Sequence, residues 1–125
     1  MSLKLKPVSR KNPLKPTDPP LFYLNAVSQG KVTLDDICKR VAHASTLSRG
    51  DLYNAILGVV DEMIFDLTDG KIVELGKLGT FRMTVNSTGV PELTKVSSNQ
   101  VIKVNIRYRP GSELTGTVKN LSMEM

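Results

Sequence analysis

Apolar and polar residues alternate along two stretches in the second half of the chain, residues 80–86 and 101–109. Because successive side chains of a β-strand point to opposite faces, each stretch predicts a strand with one apolar and one polar face. The predicted apolar faces consist of Phe81, Met83, Val85, Ile102, Val104, Ile106 and Tyr108. A shorter β-type run, residues 72–75, precedes Gly76 and Gly79, where the chain can turn tightly or bulge before it continues. Together these runs predict a three-stranded antiparallel sheet.

Apolar residues with a helical repeat precede the sheet. Thr33 and Ser48 are the predicted N-caps of two helices, with Asp51 at the capping-box position of the second helix. The first helix is expected to end near residues 45–46, and Gly70 is expected to stop the second. In the second helix the apolar residues recur at Leu52, Ala55, Ile56, Val59, Val60, Met63, Ile64 and Leu67. One short helix and one sheet cannot cover so broad a stripe, which predicts a homodimer packed across a two-fold axis.

The first 32 residues differ in composition from the rest of the chain. Five of the seven prolines fall in residues 1–20, and proline at this density prevents helix and blocks pairing in a central strand. Leu3 and Leu5 alternate with Lys4 and Lys6, and Val8 follows, which predicts a short edge strand. Residues 10–20 are expected to be extended and mobile, as a basic arm along a nucleic acid or as a disordered tail. The apolar run 21–27 is interpreted as a second small element that packs the extension onto the domain.

The chain is expected to finish with a short helix. Pro110 ends the last strand, and residues 113–121 are predicted to be helical. Residues 86–100, between the last two strands, are small and polar, as in an exposed ribbon or loop. The predicted fold class is α+β, with two N-terminal helices, a three-stranded sheet that carries a β-arm, and a C-terminal helix. The predicted division is a basic Pro-rich extension with short strand elements (1–32), a folded domain (33–121) and a C-terminal tail (122–125).

Charge is unevenly distributed along the chain, whose formal net charge is +5. Residues 1–20 hold five cations and one acid, residues 33–70 hold three cations and seven acids, and residues 101–109 hold three cations and no acid. A basic strand half next to an acidic helical half predicts a surface that binds a polyanion. The alternative is a solvated surface with chance asymmetry.

The composition also restricts the cellular compartment and the kinds of site that the protein can be expected to have. The single cysteine, Cys38, cannot form an internal disulfide, which suits a reducing compartment. The chain has no apolar run of membrane-spanning length, and its N-terminus lacks the apolar segment of a signal peptide. His43 and Cys38 are five residues apart, off the spacing that places two side chains on one helical face. We therefore expect a cytoplasmic protein with no membrane partner, catalytic site, bound metal, cofactor or small-molecule substrate.

Two motifs frame the predicted sheet. Gly70-Lys71 leads through Val73 and Leu75 to Leu78-Gly79-Thr80-Phe81, and the last strand ends in Arg109-Pro110-Gly111-Ser112-Glu113-Leu114. In this order and spacing, residues 33–120 resemble the HU/integration host factor family of bacterial DNA-binding, DNA-bending proteins. The proline-rich extension, with Ser9-Arg10-Lys11-Asn12-Pro13, Tyr23 and residues 45–51, looks like the extended HU-related subgroup of Bacteroidetes-type bacteria.

The resemblance implies a nucleoid-associated, histone-like protein that binds double-stranded DNA with low sequence specificity, mainly through phosphate contacts. It implies an intertwined homodimer, or a heterodimer with a paralogue, whose strands form a saddle and send two β-arms into the minor groove. The amides at the start of the last helix, at Gly111 and Ser112, are expected to hold a further phosphate. The residues predicted to contact DNA are Arg82, Lys103, Arg107, Arg109, Lys77, Lys95, Pro91, Gly111, Ser112, Arg10 and Lys11.

The predicted arm departs from the family's pattern. That family usually carries an Arg-Asn-Pro-x-Thr-Gly motif, whose proline wedges between base pairs, and residues 86–100 lack it. Pro91 is either such a wedge or a plain turn proline, and Lys95 is offset by Glu92, which leaves the arm neutral. The basic N-terminal segment is a hypothetical source of the missing phosphate contacts. The alternative function is an HU-like dimeric scaffold for protein interactions, which would show a shallower dependence of binding on salt.

Overall fold

The computed structural model describes residues 2–125, which form three α-helices and two three-stranded sheets. The helices are α1 (Leu34–His43), α2 (Arg49–Thr68) and α3 (Ser112–Lys119), and the strands are β1 (Leu3–Arg10), β2 (Leu21–Ala26), β3 (Val73–Glu74), β4 (Gly79–Ser87), β5 (Val101–Pro110) and β6 (Met123–Glu124). A 3₁₀ turn, Gly76–Leu78, joins β3 to β4. The α+β class is therefore confirmed. None of the helices in residues 2–125 combines the length and the apolar character that crossing a membrane requires.

Both predicted N-caps start their helices. The Asp36 amide donates to Thr33 Oγ1 at 3.2 Å, and the Thr33 amide donates to Asp36 Oδ2 at 3.1 Å, which completes a capping box for α1. The Asp51 amide donates to Ser48 Oγ at 3.1 Å and caps α2. Helix α1 ends at His43, two residues before the predicted end, while Gly70 follows α2 with a φ of +82° as a glycine stop does.

Strands β3, β4 and β5 form the predicted antiparallel sheet, in the order β3-β4-β5. On its apolar face, Phe81 lies opposite Tyr108, with ring centroids 4.8 Å apart. The Tyr108 hydroxyl donates to the Leu78 carbonyl at 2.5 Å, which ties β5 to the 3₁₀ turn. Helix α2 packs on α1 and on strands β3 and β4. This layer of helices against one face leaves the opposite face of the sheet open.

The β-arm is not an extended ribbon. Regular pairing of β4 with β5 ends at Ser87 and Val101, after an irregularity in the register at Asn86, and residues 88–100 form a loop with two 3₁₀ turns. The Gln100 side chain closes this loop, because Nε2 donates to the Thr88 carbonyl at 2.7 Å and Oε1 accepts from the Ser97 amide at 2.8 Å. Of the ribbon and the loop predicted for this segment, the structure shows a loop, which folds on itself.

The N-terminal extension forms a second sheet, with β1 between β2 and β6. The prediction of an edge strand is therefore wrong for the start of β1, since Leu3 and Lys4 pair with Met123 and Glu124 in parallel. At Pro7 the strand has β2 as its one neighbour, a position at which a proline is tolerated. The residues predicted to be a C-terminal tail thus include a strand.

The expectation of an extended segment at residues 10–20 is also wrong, because turns fold it into a hairpin. The Lys15 amide donates to the Asn12 carbonyl and the Asp18 amide donates to the Lys15 carbonyl, both at 3.1 Å. The two turns bring β2 back antiparallel to β1 over six residue pairs, from Leu5 to Arg10. The apolar run 21–27 therefore pairs with β1, at the start of the same extension.

A single chain covers little of its apolar surface. Among residues 2–125, Cys38 and Leu67 are the buried apolar side chains. The positions expected to face the core on β5 share one face but stay open, with Ile102 68% and Ile106 62% exposed, and Phe65 on α2 is 67% exposed. The alternation correctly identified the apolar face, and much of this face is exposed in the described chain.

Candidate nucleic-acid interface

The polar face of the β3-β4-β5 sheet carries four cations. The register places Arg82 opposite Arg107 and Thr80 opposite Arg109, while Lys103 lies opposite Asn86. Because residues opposite each other on paired strands project to the same face, Arg82, Lys103, Arg107 and Arg109 share one surface, which we call the basic face. The structure therefore brings together the four strand cations predicted to contact DNA.

A groove of about 340 Å³ lies on the basic face, lined by Thr80, Arg82, Thr84, Arg107, Tyr108 and Arg109. None of the ion pairs found within residues 2–125 involves the four cations of this face. Arg82 and Arg107 lie directly opposite each other on paired strands. Like charges in this position repel each other and destabilise the sheet. An anion bound between them would remove this repulsion, so the face is suited electrostatically to a phosphate-rich ligand.

Two threonines and an asparagine add hydrogen-bonding groups that were not among the predicted site residues. Thr80 and Thr84 line the groove beside the arginines. Asn105 lies opposite Thr84, and its buried Nδ2 has no hydrogen-bond partner in the part of the chain that the structure describes. The alternation that placed the cations on this face also places these three residues there, and it is the signal that could have identified them.

The start of α3 is packed more tightly than the sequence suggested. The Gly111 amide donates to the Leu78 carbonyl at 3.4 Å, so this amide has a partner within the chain, and its predicted phosphate contact stays a prediction. Ser112 is the first residue of α3, and its role stays a prediction. Lys77 forms an ion pair with Glu113 at 3.4 Å across the same junction. Its charge is partly balanced, unlike the cations of the basic face.

Two predicted residues, Pro91 and Lys95, lie in the loop 88–100, away from the groove. Pro91 is exposed, and Lys95 pairs with Glu92 at 3.9 Å. The loop is therefore neutral and internally paired.

Arg10 and Lys11 lie at the end of β1, in the second sheet. The Arg10 guanidinium carbon lies 5.9 Å from the centre of the Tyr23 ring, within the range of a cation–π contact. These residues line a separate open groove of about 670 Å³ with Pro13 and Pro19. The predicted DNA-contacting residues thus fall in four places: the basic face, the start of the turn between β1 and β2 at Arg10 and Lys11, the loop 88–100, and the junction of Lys77 with the start of α3.

No group of three or more histidine, cysteine, aspartate or glutamate side chains within residues 2–125 is arranged to hold a metal ion. The Cys38 thiol is buried. The side chains of the basic face supply guanidinium, ammonium, hydroxyl and amide donors.

Two capped helices, a three-stranded sheet with a basic face and a short C-terminal helix together define an HU-like domain. The chain belongs to the HU-HIG family, described as an HU domain fused to a winged helix-turn-helix (wHTH), an Ig domain or a glycine-rich motif, whose model matches residues 1–125. The expected resemblance to HU proteins is confirmed. No curated protein matches the chain.

A solved structure shares the fold. It is a crystal structure described as that of a "Putative bacterial DNA binding protein" from Bacteroides vulgatus ATCC 8482, with a TM-score of 0.66 and 18% sequence identity. The match covers 98% of this chain and 47% of the other, so this chain spans about half the length of that protein. At this identity the likeness concerns the fold alone.

Proposed function

We propose that this protein is a nucleoid-associated, histone-like protein that binds duplex DNA with low sequence specificity. The observation that carries the proposal is the basic face, where four cations without an ion pair in residues 2–125 lie together on one sheet and outnumber its one strand acid, Glu74, which lies opposite Thr80. Contacts to phosphates supply affinity without reading bases, which is why such a face tolerates many sequences. Membership of an HU family supports this proposal and a non-enzymatic, architectural role. The structural neighbour, which is described as a "Putative bacterial DNA binding protein", agrees with it in fold.

The proposed binding unit is a homodimer. Helix α2 and strand β5 leave apolar side chains open that a second copy would cover, among them Phe65, Ile102 and Ile106. An apolar groove of about 510 Å³ between α2 and β3, lined in part by Ala55, Val59 and Met63, offers space for such a partner helix. Dimerisation would also double the number of cations offered to one DNA duplex.

Sharp bending of the DNA by the loop 88–100 is the least supported part of the mechanism. A minor-groove wedge needs an apolar tip on an arm that reaches the groove. Here the loop folds on itself and is neutral, although Pro91 is exposed near its tip. We therefore assign affinity to the basic face and keep insertion of Pro91 as a prediction.

Binding to a fluorescent duplex of random sequence, titrated at several salt concentrations, tests the proposal. The double variant Arg82→Ala/Arg107→Ala is expected to reduce the salt slope by about 0.9 for each lost phosphate contact. The matched control is Lys39→Ala/Lys71→Ala, which removes the same charge from lysines already paired with Asp35, Asp66 and Asp69. The control should change the slope little. Equal effects of the two double variants would reject the basic face as the binding surface.

The second candidate is an HU-like scaffold that binds proteins and has little affinity for DNA. The neutral, closed loop at residues 88–100 favours it, since this is the segment that would otherwise enter the minor groove. The same titration separates the two candidates, because an absence of duplex binding at low salt leaves only the scaffold.

A further inference from the structure

The second sheet, β2-β1-β6, has two faces of different chemistry. Side chains alternate along β1, and cross-strand partners share a face, so the pairing of Leu5 with Ala26 and of Lys6 with Asn25 fixes both faces. The first face carries Leu3, Leu5, Pro7, Phe22 and Leu24. The second face carries Lys4, Lys6, Val8, Arg10, Tyr23 and Asn25. The sheet is amphipathic, with three of the cations of residues 1–20 on one side.

The second face combines cations with an exposed aromatic ring. Lys4 and Lys6 are two residues apart on one strand, about 6.6–6.8 Å along it, and Arg10 continues the row. Tyr23 is 48% exposed and has the Arg10 guanidinium near its ring. Glu124, opposite Lys4, is the acid that β6 adds to this face. The three cations of this face outnumber that acid.

A groove continues from this ring toward the turn that joins β1 to β2. It has a volume of about 670 Å³, and its lining includes Tyr23, Leu21, Pro13 and Pro19 beside Arg10 and Lys11. Asp18 is the acidic residue of this lining. Apolar and aromatic groups thus form part of the groove, and cations lie at its side.

We infer that this second face binds single-stranded nucleic acid, with Tyr23 as the stacking platform for an unpaired base and Lys4, Lys6, Arg10 and Lys11 as the phosphate contacts. Positively charged grooves combined with exposed aromatic rings are the arrangement that binds single strands with little sequence preference. In a duplex the faces of the bases are stacked on one another. The Tyr23 ring could then reach only phosphates and base edges, and could not stack on a base. The inference does not depend on the function proposed for the basic face of the other sheet.

The chain has no tryptophan, which makes a direct test of stacking available. In Tyr23→Trp the new indole is the only one in the protein, and a base that stacks on it quenches its fluorescence. Phe22→Trp is the matched control, because Phe22 is adjacent in sequence, 75% exposed and on the opposite face. With a 12-nucleotide oligo-dT strand, Tyr23→Trp is expected to be quenched and Phe22→Trp to be unchanged. Equal quenching, or none in Tyr23→Trp, would overturn the inference.

Affinity measurements give a second readout. Tyr23→Ala is expected to weaken binding of the full chain to fluorescent oligo-dT by about fivefold or more, the effect of losing one stacked base. Phe22→Ala should leave the affinity for oligo-dT unchanged, and melting curves of both variants followed by circular dichroism check that the fold persists. If Tyr23→Ala binds oligo-dT as the wild type does, the assignment of this face is wrong.

The same assay distinguishes this inference from the duplex-binding proposal. Arg82→Ala/Arg107→Ala should weaken binding to duplex while the quenching of Tyr23→Trp by oligo-dT persists in that background. If instead the double variant abolishes oligo-dT binding, single strands bind on the basic face of the β3-β4-β5 sheet and the second face has no role. If Arg82→Ala/Arg107→Ala leaves duplex binding unchanged and oligo-dT does not quench Tyr23→Trp, both proposals are wrong, each by its own measurement.

Discussion

At the scale of single residues, two glycines allow the backbone to pass close to itself beside the basic face. Gly79 has a φ of +126° and a ψ of −158°, a region that only glycine occupies readily. A Cβ atom there would lie 2.2 Å from the Arg109 carbonyl oxygen, and one on Gly111 would lie 2.3 Å from that of Lys77. Both contacts are with backbone atoms, which cannot rotate away. The approach fixes the end of β5, and with it the position of Arg109.

Gly79→Ala is therefore expected to destabilise the protein by about 3 kcal/mol or more, from strain and overlap combined. Gly70→Ala is the control, because Gly70 also has a positive φ, +82°, but has open space around the missing Cβ. It should cost about 1–2 kcal/mol, the strain alone. Urea unfolding at one protein concentration measures both. Equal losses of free energy would show that the close approach to Arg109 has no energetic weight.

The capping box of α1 gives a prediction about pH. Hydrogen bonds from the backbone and side chain of Thr33 to the Asp36 carboxylate lower the pKa of Asp36 in the folded state. A lowered folded pKa contributes stability that is present above the ordinary pKa of an aspartate, about 3.9, and is lost as pH falls through the folded pKa. The difference in unfolding free energy between wild type and Asp36→Ala is therefore expected to be larger at pH 7 than at pH 3. If this difference is the same at both pH values, the ionised Asp36 carboxylate does not stabilise the fold.

At the scale of elements, the sequence predicted those structures whose cause is local. Thr33 and Ser48 cap helices through residues three positions away, and the alternation along residues 101–109 needs no distant partner to specify two faces. The second sheet was missed because the prolines of residues 10–20 favoured an extended segment over the turns that pair β1 with β2. Its third strand could not be foreseen, since Leu3 pairs with Met123 at the opposite end of the chain. The basic face could be predicted, but the opposition of Arg82 to Arg107 required the register. The chemistry of β1 and β2 likewise became visible only once they were paired.

A few hydrogen bonds hold residues 88–100 as a closed loop, one of the two forms predicted for this segment. The Gln100 side chain bridges Thr88 and Ser97, and two backbone hydrogen bonds join the same residues, from the Thr88 amide to the Gln100 carbonyl at 3.0 Å and from the Gln100 amide to the Ser97 carbonyl at 3.2 Å. Gln100→Ala removes the side-chain bonds and keeps the backbone bonds, so it is expected to loosen the base of the loop. Amide hydrogen exchange within residues 88–100 should become faster, while exchange in α2 and the unfolding midpoint stay nearly unchanged. The neighbouring variant Asn99→Ala is the control. If exchange in the loop is equally fast in wild type and Gln100→Ala, the two side-chain bonds do not hold it closed.

At the scale of the whole molecule, the distribution of apolar surface points to a second chain. Contiguous apolar surface is uncommon on stable monomers, yet this chain leaves both α2 and β5 open on their apolar sides. The groove beside α2 and the exposed apolar side chains of β5 are where the proposed second copy would pack. A dimer would provide the missing core and would present the basic faces of two sheets to the same ligand.

The wild type is therefore expected to sediment as two chains of 13.7 kDa each, with a urea midpoint that rises with protein concentration. Phe65→Glu places a charge on the exposed apolar side of α2 and should abolish the dimer, with loss of helix content if a single chain cannot fold alone. Leu14→Glu is the control, because Leu14 is 89% exposed in the turn between β1 and β2, and the same change there should leave the mass intact. A wild type that sediments as one folded chain at micromolar concentration would remove the dimer from the proposed mechanism. The basic face would then act with four cations rather than eight, and its salt slope would fall accordingly.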